Sequence, residues 1–439
     1  MLKLFGVAVL TTVLGASWAQ SVELMNNRPG EVLLFPFFTA ENGWDTYINL
    51  SLAGPSFQGG VAAKIRILDG VTGEVVKDFN IYPGRFENWR ASISKDGELR
   101  TILRVEEGGC QVQEDLSFGE AGAIIEIPSG VGMIEVYGIG HYGHRNTRCQ
   151  DIAERWQPGG AWDTDPSLYF SPRPNDRSIM GEAYLVNVNE GLAATYSATA
   201  LADVFTDFEH TAPGSSSPNL TEAEPIAVID GITHQVVSDE GIDAVAMVLS
   251  MNKEFLINDV VSAPSINART EWVMSYPLAR YRNYKPHDVL IDENIRHCEA
   301  FGRKSPDQGE PIVMAILDST TGVLAWGNGQ TNSVEFDPAP TIPFAAAFCN
   351  AVNVVGFLED HDPILVENES PYISPPPRHD MVGNESYTLR WGPYPHEFPV
   401  GSGIKRPALG FRITTFQNGT LDGGNTLANY ATLRAHQRR

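Results

Sequence analysis

The chain has 439 residues, 42% of them hydrophobic and 10% aromatic, with 31 basic against 54 acidic side chains and a formal charge of −23. That apolar content supports a sizeable core and excludes disorder throughout. The charge repels nucleic acid and anionic lipid, no local basic patch offsets it, and the scattered acidic turns read as a solvated surface.

Residues 1–19 read as a secretory leader. Lys3 supplies the positive start, residues 4–14 an apolar run too short to span a bilayer, and Ser17-Trp18-Ala19 a small-x-small cleavage site. The expected mature chain is exported to the periplasm, cell surface or medium, and no later stretch reaches the roughly 18 apolar residues of a membrane helix.

Beyond the leader the pattern is strand, turn, strand. Val32-Leu33-Leu34-Phe35 is an apolar run that Pro36 is expected to break, and Asn42-Gly43 turns into an alternating strand over 46–50. Residues 61–68 alternate around Lys64 and Arg66, and 75–82, 123–127 and 133–139 continue the series. Residues 157–177, rich in Pro, Gly, Asp and Ser, read as a linker or long surface loop. Strands resume over 181–188 and 193–200, and residues 239–251 have helical apolar spacing. Further strands are predicted over 270–276, 311–317, 351–357 and 410–416, while 367–403, with Pro375-Pro376-Pro377, reads as mostly irregular. The fold class predicted is mainly β: two antiparallel β-sandwich-like (Ig-like) domains with long loops, divided as leader 1–19, first domain 20–150, linker 151–178 and second domain 179–439.

Four cysteines in an exported chain point to bridges. Of the three connectivities, sequential pairing joins Cys110 to Cys149 and Cys298 to Cys349, each loop contributing about 4 kcal/mol. Zinc-knuckle spacing is absent.

The run Gly30-Glu31-Val32-Leu33-Leu34-Phe35-Pro36-Phe37-Phe38, Asp45-Thr46, and Thr270-Glu271-Trp272-Val273 with Pro277 resemble a family of uncharacterised exported "cell surface" proteins of Gram-negative bacteria. So do Tyr184, Asn187, Gly191, Ala198-Thr199-Ala200-Leu201 and the closing Ala428-Asn429-Tyr430, with Leu52 standing where the family pattern has an asparagine. The resemblance implies surface location and a β-rich build, and brings no activity or site.

Three groups of residues are candidates for chemistry. His141 and His144, near Cys149 and Asp151, are the best transition-metal candidates, provided Gly140 and Gly143 bend the chain into a loop; a plain loop beside a disulfide is the commoner outcome. Glu359, Asp360 and Asp362, and separately Asp163 with Asp165, offer hard oxygen ligands suited to Ca²⁺, without the glycine and distal glutamate of an EF-hand. Solvated acidic turns are the simpler reading. Trp391 and Tyr394, with His396 and Phe398, form a candidate stacking platform for a sugar or partner; Trp44, Trp89 and Trp272 read as core. Nucleophile-elbow and Ser-x-x-Lys motifs are absent. The leading expectation is therefore a non-enzymatic exported protein acting in binding, adhesion or assembly, with a surface protein, a glycan or itself as partner and no cofactor unless Ca²⁺. The alternative is a carbohydrate-active or other secreted hydrolase using a carboxylate pair.

Overall fold

The computed structural model describes residues 21–25, 28–52, 60–84, 87–142, 148–168, 170–171, 177–206, 210–236, 240–250, 255–262, 267–281, 314–318, 324–326, 350–356, 363–367, 372–373, 383–391, 407–417 and 419–438. Those at 314–326 and 372–391 are described by backbone alone. The fold is mainly β. Its largest sheet runs in the order Ile232–Gln235, Ile226–Ile229, Val22–Met25, Thr199–Ala202, Val32–Thr39, Val131–Tyr142, Gly60–Asp69, Val75–Tyr82, Cys110–Gln113, Phe118–Gly119. A second sheet of six strands runs Ile124–Glu126, Thr101–Glu107, Asn88–Lys95, Trp44–Leu52, Ile179–Asn187, Leu192–Ser197.

Trp44–Leu52 shows why the two sheets meet. Trp44, Thr46, Ile48, Leu50 and Leu52 are buried and the residues between them are not, the period of two that a sheet with one wet face requires. Its inward side chains join Phe35, Ile65, Ile67, Phe79 and Val136 of the largest sheet in one apolar cluster. Val273, Val354, Phe411 and Ile413 join the same cluster. They come from a further sheet ordered Tyr372–Ile373, Val352–Gly356, Ala268–Ser275, Leu409–Phe416, Tyr430–Ala435.

The boundaries expected at 150 and 178 therefore do not separate the sheets. Ile179–Asn187 pairs along its full length with Trp44–Leu52, and Thr199–Ala202 pairs with Val32–Thr39. The physical reason is completion: without these later strands both sheets would leave unpaired backbone at an open edge. Nor is 151–178 simply a linker. Helices Cys149–Trp156 and Ala161–Thr164 lie there, burying Trp156 and Trp162 against the outer face of the largest sheet.

Pro36 does not break its strand, which runs through it to Thr39. Pairing with Thr199–Ala202 ends at Leu34, and the ladder to Val131–Tyr142 shifts register between Ile134 and Gly132, opposite Phe35 and Phe38. The missing N–H falls where neither neighbour asks for it. The predicted helix is present as Gly241–Ser250, packed in the outer cluster. Within 367–403, expected to be mostly irregular, the described residues include a nine-residue strand, Gly383–Trp391, between Met314–Asp318 and Phe255–Ser262.

Cys110 and Cys149 are bonded, tying the first helix to the strand Cys110–Gln113. Cys298 and Cys349 lie outside the described residues. Among the described residues no helix is long and apolar enough to cross a membrane.

Candidate functional site

The strand Gly60–Asp69 is buried on both faces, and that makes its charges informative. Lys64 and Arg66 point to the face opposite the shared core. Register places Arg66 between Asp78 and Glu135, and Lys64 between Asn80 and Tyr137. Residues two apart on three adjacent strands thus form one buried polar row.

Each charge in the row is engaged. Asp78 receives Arg66 Nε at 2.8 Å, lies 3.5 Å from Lys64 Nζ and accepts the Gly214 N–H at 2.8 Å. Arg66 donates further to the carbonyls of Pro218 at 2.6 Å and Ser215 at 2.7 Å, while Lys64 donates to Ala212 at 2.6 Å and Ser215 at 3.1 Å. The segment 212–218 is in this way pinned to the sheet through its own carbonyls. Glu135 pairs with Arg280 and accepts the Tyr137 hydroxyl at 2.7 Å. Burial pushes Lys64 down to about 8, against the pull of Asp78 in the other direction.

The row continues into an aromatic cluster. The Tyr82 hydroxyl accepts from Trp156 Nε1 at 2.9 Å and Asn80 Nδ2 at 3.2 Å, and lies 2.8 Å from His210 Nε2. His210 Nδ1 is 2.7 Å from the carbonyl of Pro166, so Nδ1 is assigned the proton and Nε2 accepts from Tyr82. The His210 ring stacks on Phe170 at 3.6 Å. Burial pushes His210 down to about 3, keeping it neutral.

Where the row reaches the surface it opens into a cleft of about 570 Å³. Arg66, Lys77 and Asp78 of the strands, Ser215, Ser216, Asn219 and Thr221 of the following segment, and Glu114, Arg280 and Tyr281 line it. The volume is that of a small-molecule site, and polar and apolar surface share its lining. Arg280 Nε is buried and has no hydrogen-bond partner among the described residues.

A second buried carboxylate serves a different purpose. Glu271 accepts the N–H groups of Ile364 at 2.5 Å and Leu365 at 3.0 Å, while Trp44 Nε1 and Thr39 Oγ1 donate to the carbonyls of the same two residues at 2.8 Å each. Burial pushes Glu271 up to about 7. On the wet face of the six-stranded sheet, Tyr47 and Tyr184 are cross-strand partners, 39% and 36% exposed.

Of the sequence candidates, His141, Asp163, Asp165 and Trp391 fall among the described residues. His141 lies in the strand Val131–Tyr142, 5% exposed, and Gly140 bends the chain there by a bulge at φ +123° rather than by a loop. Its expected co-ligand His144, and Glu359, Asp360 and Asp362, lie outside the described residues. Asp163 accepts the Gly159 N–H and Asp165 the N–H and hydroxyl of Ser167, as acids in turns do. Among the described residues no three His, Cys, Asp or Glu side chains are grouped to hold a metal. Trp391 ends a strand that pairs with Met314–Asp318, so it is not in a loop, and Tyr394 lies outside the described residues. Trp44, Trp89 and Trp272 are core.

Sequence reasoning missed Lys64, Arg66, Asp78, Glu135 and His210. The available signal was the repeated spacing of charged and polar residues two apart at 64 and 66, 78 and 80, and 135 and 137 on neighbouring strands. No protein-family model, curated protein or solved structure matches the chain.

Proposed function

We propose that this chain is an exported, non-enzymatic binding protein of the cell surface or periplasm, of β-sandwich-like build, which holds a small polar ligand or the end of a glycan in the cleft beside Arg66. The observation that carries this is the state of the cleft's carboxylates and cations. Asp78 is occupied by Arg66, Lys64 and Gly214, and Glu135 behind it by Arg280 and Tyr137. Such groups shape and rigidify a wall, whereas hydrolysis by a carboxylate pair needs one acid and one base free to exchange protons with substrate. Only Glu114 of the two lining carboxylates stands exposed.

The test uses the full mature chain and Ser216→Trp, a substitution at an exposed cleft residue that fills the opening without touching the core. Wild type should be retained on immobilised envelope polysaccharide and the variant released, with equal melting temperatures. Equal retention would remove the cleft from the binding site, and liberation of reducing sugar by wild type would favour the hydrolase. Protease shaving of intact cells against a periplasmic fraction decides the compartment.

A further inference from the structure

We infer that residues 363–367 are a strap over the shared core, latched by a proton on Glu271: closed while that carboxyl is neutral and opening as it ionises. The first ground is how the segment is held. Asn42 Nδ2 donates to the carbonyl of Pro363 at 3.0 Å and to that of Val366, Trp44 Nε1 to Ile364 and Thr39 Oγ1 to Leu365. Glu271 takes the N–H groups of Ile364 and Leu365, and Glu41 that of Glu367 at 2.9 Å. Among the described residues no backbone–backbone hydrogen bond ties the segment to a strand. A ladder of backbone bonds is blind to pH, whereas a segment held by side chains follows their protonation. Of these holders only Glu41 and Glu271 titrate, and Glu41 is partly exposed and serves Glu367, the exposed end of the segment.

The second ground is the setting of Glu271. It is 2% exposed, and its cross-strand partners Ile413 and Gly356 carry no charge. The segment it holds is apolar, with Ile364, Leu365 and Val366 buried in the shared core, and Thr39, Asn42 and Trp44 opposite are neutral. The charge acting on it is Arg269, two residues along its own strand. Burial outweighs Arg269 and the two N–H groups, and raises the carboxyl to about 7. With the strap lifted, water reaches the carboxyl and its ordinary value of 4.5 returns. The closed form therefore holds more protons between pH 4.5 and 7, and rising pH through that window favours opening.

Native-state hydrogen exchange of the full chain, read at the Ile364 and Leu365 amides and corrected for the intrinsic rate at each pH, tests the inference. Opening should rise about tenfold or more from pH 5 to pH 7.5, and at pH 7.5 both amides should exchange faster than those of the buried strand Val131–Tyr142. Glu271→Gln should make the opening independent of pH. Arg269→Met, which leaves the carboxyl in place, should move the response to higher pH and decides the matter even if Glu271→Gln does not fold. His361 stands two positions before the segment in the sequence and its ordinary value lies in the same window, so His361→Gln should leave the response unchanged. Opening that does not change with pH, a response that survives Glu271→Gln, stays in place with Arg269→Met or disappears with His361→Gln would each overturn the inference. So would Ile364 and Leu365 amides no faster than Val131–Tyr142 at pH 7.5, since the segment would then open only with the whole fold.

Discussion

Asp78→Asn is the substitution most telling for the buried row. The Asp78 side chain is 8% exposed and faces Lys64 at 0% and Arg66 at 2%, so water cannot compensate the loss of its charge. Removing one partner of a buried ion pair costs about 3–5 kcal/mol, because the remaining charge stays buried; here two cations remain. For a chain of this size that loss corresponds to roughly 3–6 °C in melting temperature. The amide also ceases to draw in the Gly214 N–H as strongly, so segment 212–218 should exchange its amide hydrogens faster. Urea denaturation followed by tryptophan fluorescence gives the magnitude. Lys64→Met added to Asp78→Asn should restore part of the loss, since it removes one uncompensated cation. A loss below about 1 kcal/mol for Asp78→Asn is what an exposed ion pair gives, and it would refute the assignment of this row as buried.

His210 is held at about 3 in the fold against an ordinary value of 6.5, so the unfolded chain binds the extra proton and stability is lost as pH falls from 6.5 towards 3; His210→Phe should flatten that slope in urea melts at pH 7, 5.5 and 4.5. Glu271 runs the other way. Raised to about 7 from 4.5, it contributes stability below pH 4.5 that is lost as pH rises to 7, so the stability difference between wild type and Glu271→Gln should fall by about 3 kcal/mol across that window. Cys110→Ser with Cys149→Ser opens a loop of 39 residues and should cost about 4 kcal/mol in the same assay, with retention on polysaccharide unchanged.

Much of the local structure was legible in the residues. The helix at 241–250 and the strands at 60–69, 268–275 and 409–416 follow from apolar period and turn residues, and Cys110 with Cys149 from sequential pairing. What could not be read was which faces later segments cover. An alternating strand with Lys64 and Arg66 on one side looks half wet, until helices at 149–164 and the chain at 210–221 close over it. Periodicity reports a face, and tertiary contacts decide whether that face meets water. The cleft was illegible for the same reason, since its walls come from positions 66–78, 114, 214–221 and 280–281. Residues 383–391 were read as loop because flanking Pro and Gly outweighed Tyr387-Thr388-Leu389, a local preference overridden by two strands available for pairing.

Hydrogen exchange of the full chain, with and without added envelope polysaccharide, tests the central claim most directly. The account predicts slowed exchange confined to residues 75–78, 214–221 and 280–281. Slowing in the strands that carry Tyr47 and Tyr184 instead, with the cleft unchanged, would contradict it.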